Sequence, residues 1–314
     1  MKPLKEARGH SGSEVGESGP DLPVDTSSSG SGGNQERGKG LRTFAASKTG
    51  VLGLVFVVGM AGFSFIGPLV YRTNQVIPVI ASSLQGPSRA YPLGTDAVGY
   101  NVLGRLMVGG QVSLEVGVGA AILTTVIGVV YGMAAALAGG WLDAAMMRLV
   151  DAFLAIPVLV VLLVLATIVT PSIPVLIIII SFMSWLPTAR ITRSECLSLK
   201  TREFVQASVV AGSGVGRIMS RHLLRNVAGT VAVLETFAVA DAILLLATMS
   251  YLGLGPPPPI TDWGGMLSSG LNYTYDGYWW LIYPAGVALL ITVVGVNFVG
   301  DAIRDAMDVR LQER

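Results

Sequence analysis

The chain alternates long apolar runs with short polar or glycine- and proline-rich breaks. Val51 to Val70 is twenty residues without a charge, enough for one helical crossing of a hydrocarbon core about 30 Å thick. Val116 to Ala138 predicts a second span, along which Gly128, Gly132, Ala136 and Gly140 recur every fourth residue. Such a small-residue stripe lets another helix approach closely. Ala152 to Ala189 runs 38 residues without charge, too long for one crossing, and Thr170-Pro171-Ser172-Ile173-Pro174 breaks it in the middle. The pattern therefore predicts two spans there, 152–169 and 175–189, joined by a tight turn. Val227 to Leu254 and Gly277 to Gly300 supply the fifth and sixth. The expected fold is an all-α integral membrane domain over 44–314 with six transmembrane helices.

Between the fourth and fifth spans lies a charged, glycine-broken loop, 190–226, whose core runs from Leu197 to Asn226. Leu197, Thr201, Phe204, Val205, Ser208 and Ala211 are three or four residues apart and share one helix face, opposite Arg202, Glu203 and Gln206. Gly212-Ser213-Gly214 then stops that amphipathic helix, because glycine tolerates the left-handed backbone that closes a helix C-terminus. After the turn Val215, Ile218, Met219, His222 and Leu223 again fall on one face, with Arg217, Ser220 and Arg221 facing away. Two short helices meeting at a glycine corner are expected. A helix-turn-helix carrying Arg217, Arg221 and Arg225 into DNA has this outline too, but membrane on both sides argues against it, and no nucleic-acid partner is expected.

Composition agrees with a membrane protein: 52% of the 314 residues are hydrophobic and 13% charged. Met1 to Thr43 is rich in Gly and Ser without apolar periodicity, and 1–43 is expected to be a disordered tail. Within it, 33–40 nearly spells a phosphate-binding loop, but Gly40 stands where Ser or Thr is required and no apolar strand precedes it. No nucleotide site and no cleavable signal are read in the chain. One cysteine, Cys196, gives no disulfide and no metal set, and His10 is the only histidine besides His222. Asn272-Tyr273-Thr274 fits a glycosylation acceptor but carries no weight at three residues.

Six spans put both termini on one side. Of 21 Lys and Arg, 18 fall on the side of the termini and the 190–226 loop; only Arg72, Arg89 and Arg105 fall on the other. The basic excess places the termini and the loop in the cytoplasm of a multi-pass cell-membrane protein.

Asp241 and Glu235 lie inside the fifth span, where ionisable groups mark a pathway or a partner. Twelve Leu, Ile, Val and Phe residues there favour insertion by roughly 5 kcal/mol, and one central Asp opposes it by about 3. Asp241 should therefore face the bundle interior or water. Both residues are pathway candidates. No Ser, His and Asp set marks a hydrolase, and no enzyme activity is expected.

Gln206-Ala207-Ser208, three residues, Gly212, nine residues, His222 and Leu224 resemble the EAA loop of permease subunits in binding-protein-dependent ABC importers. Arg202-Glu203-Phe204-Val205 and Arg221-His222-Leu223-Leu224-Arg225-Asn226 resemble the oligopeptide and dipeptide branch. So do Tyr91-Pro92-Leu93-Gly94-Thr95-Asp96, Gly139-Gly140-Trp141-Leu142-Asp143 and Met147-Arg148-Leu149-Val150-Asp151. Gln206 and Ser208 stand where the family has Glu and Ala, Arg225 where it has Pro, Tyr100 and Asn101 where it has Arg-Asp, and Leu246 where it usually has Glu. The resemblance implies that Glu203, Phe204, Gln206, Ala207, Ser208, Gly212, His222 and Leu224 form an ATPase-coupling site. It further implies a second homologous permease, two cytoplasmic subunits that bind the ATP, an external substrate-binding protein, and no cofactor on this chain within its membrane lipid. Cargo would be a di- or oligopeptide or a similar solute such as nickel, moved by alternating access. The alternative is an ion-coupled secondary transporter using Asp241 and Glu235.

Overall fold

The computed structural model describes residues 46–312, so the expected tail at 1–43 lies outside the described residues, as does His10. Among the described residues all regular structure is helical. Helix α1, Lys48–Phe65, starts where the Ser47 hydroxyl accepts from the Gly50 amide at 3.2 Å, and a short turn at Gly67–Val70 extends it to 23 residues. Helix α2, Val102–Ala138, is 37 residues long and begins fourteen residues before the expected second span. Its N-cap is Asn101, whose Oδ1 accepts from Gly104 N at 3.0 Å, so the residue in place of the expected Asp still caps the helix.

The expected third span is not a straight helix. Helix α3, Gly140–Leu154, and helix α4, Val158–Ile168, form a pair bent by 81°. Pro157 sits at the break; it has no amide to continue the helix and restricts Ile156 before it. The 11 residues of α4 rise about 16 Å, half of a hydrocarbon core. The predicted break before the fourth span is present: α4 ends at Ile168, and helix α5, Ile173–Lys200, starts with Pro174 in its first turn.

Helix α5 passes the expected end at Ala189 by eleven residues. Helix α6, Glu203–Val210, follows, and then helix α7, Leu224–Tyr251, which Val215–Arg217 and a π-helical stretch at Ile218–Leu223 precede without a break. Helix α8, Trp263–Leu271, and helix α9, Tyr283–Gln312, close the chain. The expected sixth span began at Gly277, but Gly277 sits in a left-handed turn and the apolar crossing is Trp279–Met307. Five helices are thus long and apolar enough to cross a membrane, and the bent α3–α4 pair makes a sixth.

Helix α2 is the axis of the bundle, packing on α5 and α7. The small-residue stripe works as expected at its first positions: a Cβ on Gly128 would lie 2.7 Å from Thr188 Cβ, and one on Gly132 2.9 Å from Thr192 Cβ. Gly140 is not part of it, since it opens α3 into open space. Helix α1 lies on α9 through Gly53 and Gly295. Three apolar clusters stack through the bundle. A central one is built on Val116, Leu176, Ile180 and Leu246; one end cluster centres on Trp263 and Trp280, and the other on Met133, Val205, Leu223 and Val227.

Candidate functional site

At the Val205 end, α5 stops at Lys200 because its last turn is closed locally. Thr201 Oγ1 donates to Ser198 O at 2.8 Å, and the Arg202 amide donates to Leu199 O. Lys200 Nζ reaches across to Ala136 O at 2.8 Å, occupying a carbonyl in the last turn of α2. The expected first loop helix, starting at Leu197, is therefore divided: Leu197 belongs to α5, Thr201 caps it, and only Glu203 to Val210 form the crossing helix. The expected shared face breaks up with it, because Val205 is buried at 2% exposure while its neighbour Phe204 is 44% exposed.

Helix α6 ends as the glycine predicts. Gly212 has φ +76°; its amide donates to Val209 O at 2.9 Å, and the Ser213 amide reaches Ser208 O at 3.1 Å. These two bonds around a left-handed glycine are a Schellman closure. A Cβ on Gly212 would meet nothing, so only the backbone angle demands glycine there.

The coupling candidates occupy one small region. Glu203, Phe204, Gln206 and Ala207 lie on the exposed part of α6, Ser208 is half-buried, and Gly212 is at the exposed corner. Leu224 is exposed at the start of α7. His222 is placed by its backbone in Ile218–Leu223, and its side chain lies outside the described ones. The expected second loop helix is not separate from the fifth span, because no glycine or proline intervenes between Leu223 and Val227.

Val205, Ile218 and Leu223, read in the sequence as lying on apolar helix faces, are among the residues that seat this region. Val205 enters a cluster with Met133, Cys196, Ile218, Leu223 and Val227. Two ion pairs brace α3 against α5: Arg193 donates from Nε and Nη2 to the two Asp143 oxygens at 2.5 and 2.6 Å, and Arg190 pairs with Asp151. The bidentate Arg193 pair fixes angle as well as distance. Asp143 and Asp151 stood in quoted motifs, but nothing in the sequence spacing names their partners.

Asp241 lies well inside α7 and is exposed, while Ala240, Ala242 and Ile243 beside it are buried. Its face continues through half-buried Ala238 and exposed Leu244. Glu235 is half-buried, and six residues of helix turn it about 120° away, so the two carboxylates do not share one face. The expectation that Asp241 avoids lipid is met in this chain only if something outside it covers that face.

At the opposite end, Asp262 caps α8, with Oδ2 accepting from Gly264 N at 3.0 Å and Oδ1 from Gly265 N at 3.4 Å. Burial pushes its carboxyl up to about 6. Burial also raises Asp96, against the opposing pull of the Tyr100 amide and Arg105. Among the described residues no group of His, Cys, Asp and Glu could hold a metal ion.

Residues 128–313 match the family described as "Binding-protein-dependent transport system inner membrane component". The chain is 34% identical over 270 residues to the oligopeptide transport system permease protein OppC of Bacillus subtilis, covering 86% of this chain and 88% of that protein. It is 35% identical over 269 residues to OppC of Escherichia coli, covering 85% and 89%. A putative peptide permease protein of Brucella suis is 36% identical over 273 residues, covering 86% and 89%. None of these relatives supports the ion-coupled alternative. With a six-span helical bundle, an exposed helix between its fourth and fifth crossings and a family match over more than half its length, the chain belongs to the inner membrane components of binding-protein-dependent ABC transport systems, membrane permeases rather than enzymes.

Proposed function

We propose that this chain forms half of the translocation pathway of a peptide importer and takes its motion from cytoplasmic ATPases through α6. The observation that carries this reading is the exposed face of α6, held to the bundle by Val205 and presenting Phe204, Ala207, Val209 and Val210 outward. A short helix of that kind between two spanning helices is a docking element for a partner. Two ATP-binding subunits meet it and its counterpart on a second, homologous permease, and an external binding protein delivers cargo. ATP is held by those subunits, and this chain needs no cofactor. The names of the relatives support di- or oligopeptides as cargo.

Asp241 is covered in this reading by the water-filled pathway at the seam with the second permease. Facing lipid it would cost about 3 kcal/mol, an amount that the partner or water removes. The basic excess supports termini and α6 in the cytoplasm. ATP-driven closure of the ATPases would tilt α6 and, through the unbroken Val215 to Tyr251 rod, reopen the pathway outward.

Purification of the tagged chain from its native membrane tests the assembly. Two ATPase chains, or two copies of one, and a second permease should accompany it. A solitary or purely homo-oligomeric protein would refute the reading.

A further inference from the structure

Two cavities open at the Trp263 end of the bundle, one of about 800 Å³ and one of about 450 Å³, and both are lined by Arg105 and Ser269. Arg105 sits one turn into α2 with its side chain only 14% exposed. A guanidinium has five donors in a planar fork. Here Nε lies 3.6 Å from Asp96 Oδ2, beyond a direct hydrogen bond, and the carbon of the fork stacks 4.5 Å from the Tyr100 ring centroid. Nη1 is buried and has no partner among the described residues. Asp96 cannot turn fully to Arg105, because its Oδ1 already accepts from the Val98 and Tyr100 amides at 3.0 and 2.8 Å. A buried guanidinium with one donor unused and its only ion pair stretched to 3.6 Å is a costly group, and a ligand anion is what would complete it.

The larger cavity has a mixed lining: the glycine- and proline-rich run from Gly253 to Pro258, hydroxyl-bearing Thr170 and Ser268, and apolar Ile168, Leu254 and Ile260. Asp262, the second charged residue on its lining, is 1% exposed and spends its oxygens on the Gly264 and Gly265 amides, so its charge is turned away from an incoming anion. A ligand that suits this lining has one anionic end for Arg105 and a body of mixed polar and apolar character, as a short peptide has. The volume is within the range of small-molecule sites, roughly 300 to 1,000 Å³.

We propose that this end of the chain holds a binding site for the C-terminal carboxylate of a short peptide, with Arg105 as the carboxylate-binding residue. The site deepens the peptide-import reading and rests on it for the identity of the ligand. Arg105 gives the carboxylate a bidentate partner. The glycine- and proline-rich wall makes contacts that do not depend on peptide sequence.

The test uses the complete complex in nanodiscs, with Ser269→Cys as reporter; Ser269 is exposed, and the single native cysteine, Cys196, is buried. The rate of modification by a small charged thiol reagent is followed with added dialanine, dialanine amide or inorganic phosphate. Dialanine should protect the cysteine at a concentration about 10- to 100-fold lower than its amide, the worth of a hydrogen-bonded charge. Arg105→Gln should erase that difference and Arg105→Lys should keep part of it. Equal protection by acid and amide in the unmutated site, or a difference that survives Arg105→Gln, overturns the proposal. Protection by phosphate as strong as by dialanine overturns the peptide assignment. Uptake of labelled peptide by the same complex is measured separately: a complex that takes up no peptide contradicts the import reading, whereas a flat protection profile contradicts only the site.

Discussion

At one end of the bundle Trp263 and Trp280 are buried and both indole N–H groups donate to backbone carbonyls, at Leu106 and Thr95. The loop between α1 and α2 is tied down by its own side chains: Thr95 bonds Ser82 O at 2.5 Å, Tyr100 bonds Val76 O at 3.0 Å, and Asn101 bonds the Tyr71 hydroxyl at 2.8 Å. At the other end α6 keeps a single residue, Val205, in the core and leaves Val210 89% exposed. The first end is braced within the chain, although it too leaves apolar side chains such as Tyr275 and Ile80 exposed. The second seats its crossing helix through that one residue and leaves the rest of the helix at the surface. An isolated eight-residue helix is not stable in water, so α6 relies on its seat and its partner.

The largest break in this comparison comes from Val205→Asp. A carboxylate in the cluster of Met133, Leu223 and Val227 would lack a partner, and α6 would leave its seat. Peptide uptake should fall by about 100-fold or more, the equivalent of roughly 3 kcal/mol, while membrane levels stay near normal because the spans are untouched. Val210→Asp, on the exposed face, should leave α6 seated and weaken only partner contact. Co-purified ATPase separates the two variants: Val210→Asp should reduce it with α6 still protected from protease, Val205→Asp with α6 cleaved.

Next in size is the glycine corner. A β-branched residue at φ +76° costs about 1 to 3 kcal/mol, while Asn tolerates that conformation. Gly212→Val should therefore reduce uptake about 5- to 100-fold and uncouple ATP hydrolysis from loaded binding protein, and Gly212→Asn should retain most of both. Because no atom crowds the position, equal loss in the two variants would show that contact with a partner, not backbone angle, selects glycine.

The positions of these elements were legible in the sequence where hydrophobicity governs, and their ends were not. Hydropathy marks the membrane, not the helix. Helix α2 runs through Arg105 and Glu115, and α5 through Arg190, Arg193 and Glu195, because ion pairs and caps outside the hydrocarbon let a helix continue past its apolar part. The bend at Pro157 was hidden inside an unbroken apolar run. Within the candidate site, Gly212 was readable because one residue type answers one backbone need. Val205 was placed on an apolar face of a helix drawn from Leu197, but that helix divides at Thr201 and Phe204 does not share its burial. Arg105 was passed over as one of three basic residues on its side, since its one unused donor depends on contacts that no spacing encodes.

The smallest expected effect concerns the braced end. Asp262 is held near 6, above its ordinary value near 4, so its neutral form is the one that folding favours. Its contribution to stability is fully present below about pH 4 and is lost as pH rises through about 6. The shift corresponds to about 3 kcal/mol between the limits. Asp262→Asn keeps an N-cap and removes the titration. The complex should become thermally more stable at pH 7 in the variant and lose part of its pH dependence between about pH 4 and 6; an unchanged profile would contradict a buried, titrating Asp262.

Contact between α6 and an ATPase is tested most directly by short-range cross-linking from Ala207→Cys in the assembled transporter, with cysteines at Ser88 and Ser269 as controls. Adducts to an ATPase subunit are expected from Ala207→Cys alone, with their yield changing when ATP is added. Absence of any ATPase adduct from Ala207→Cys, or equal yields from Ser88 or Ser269, would contradict it.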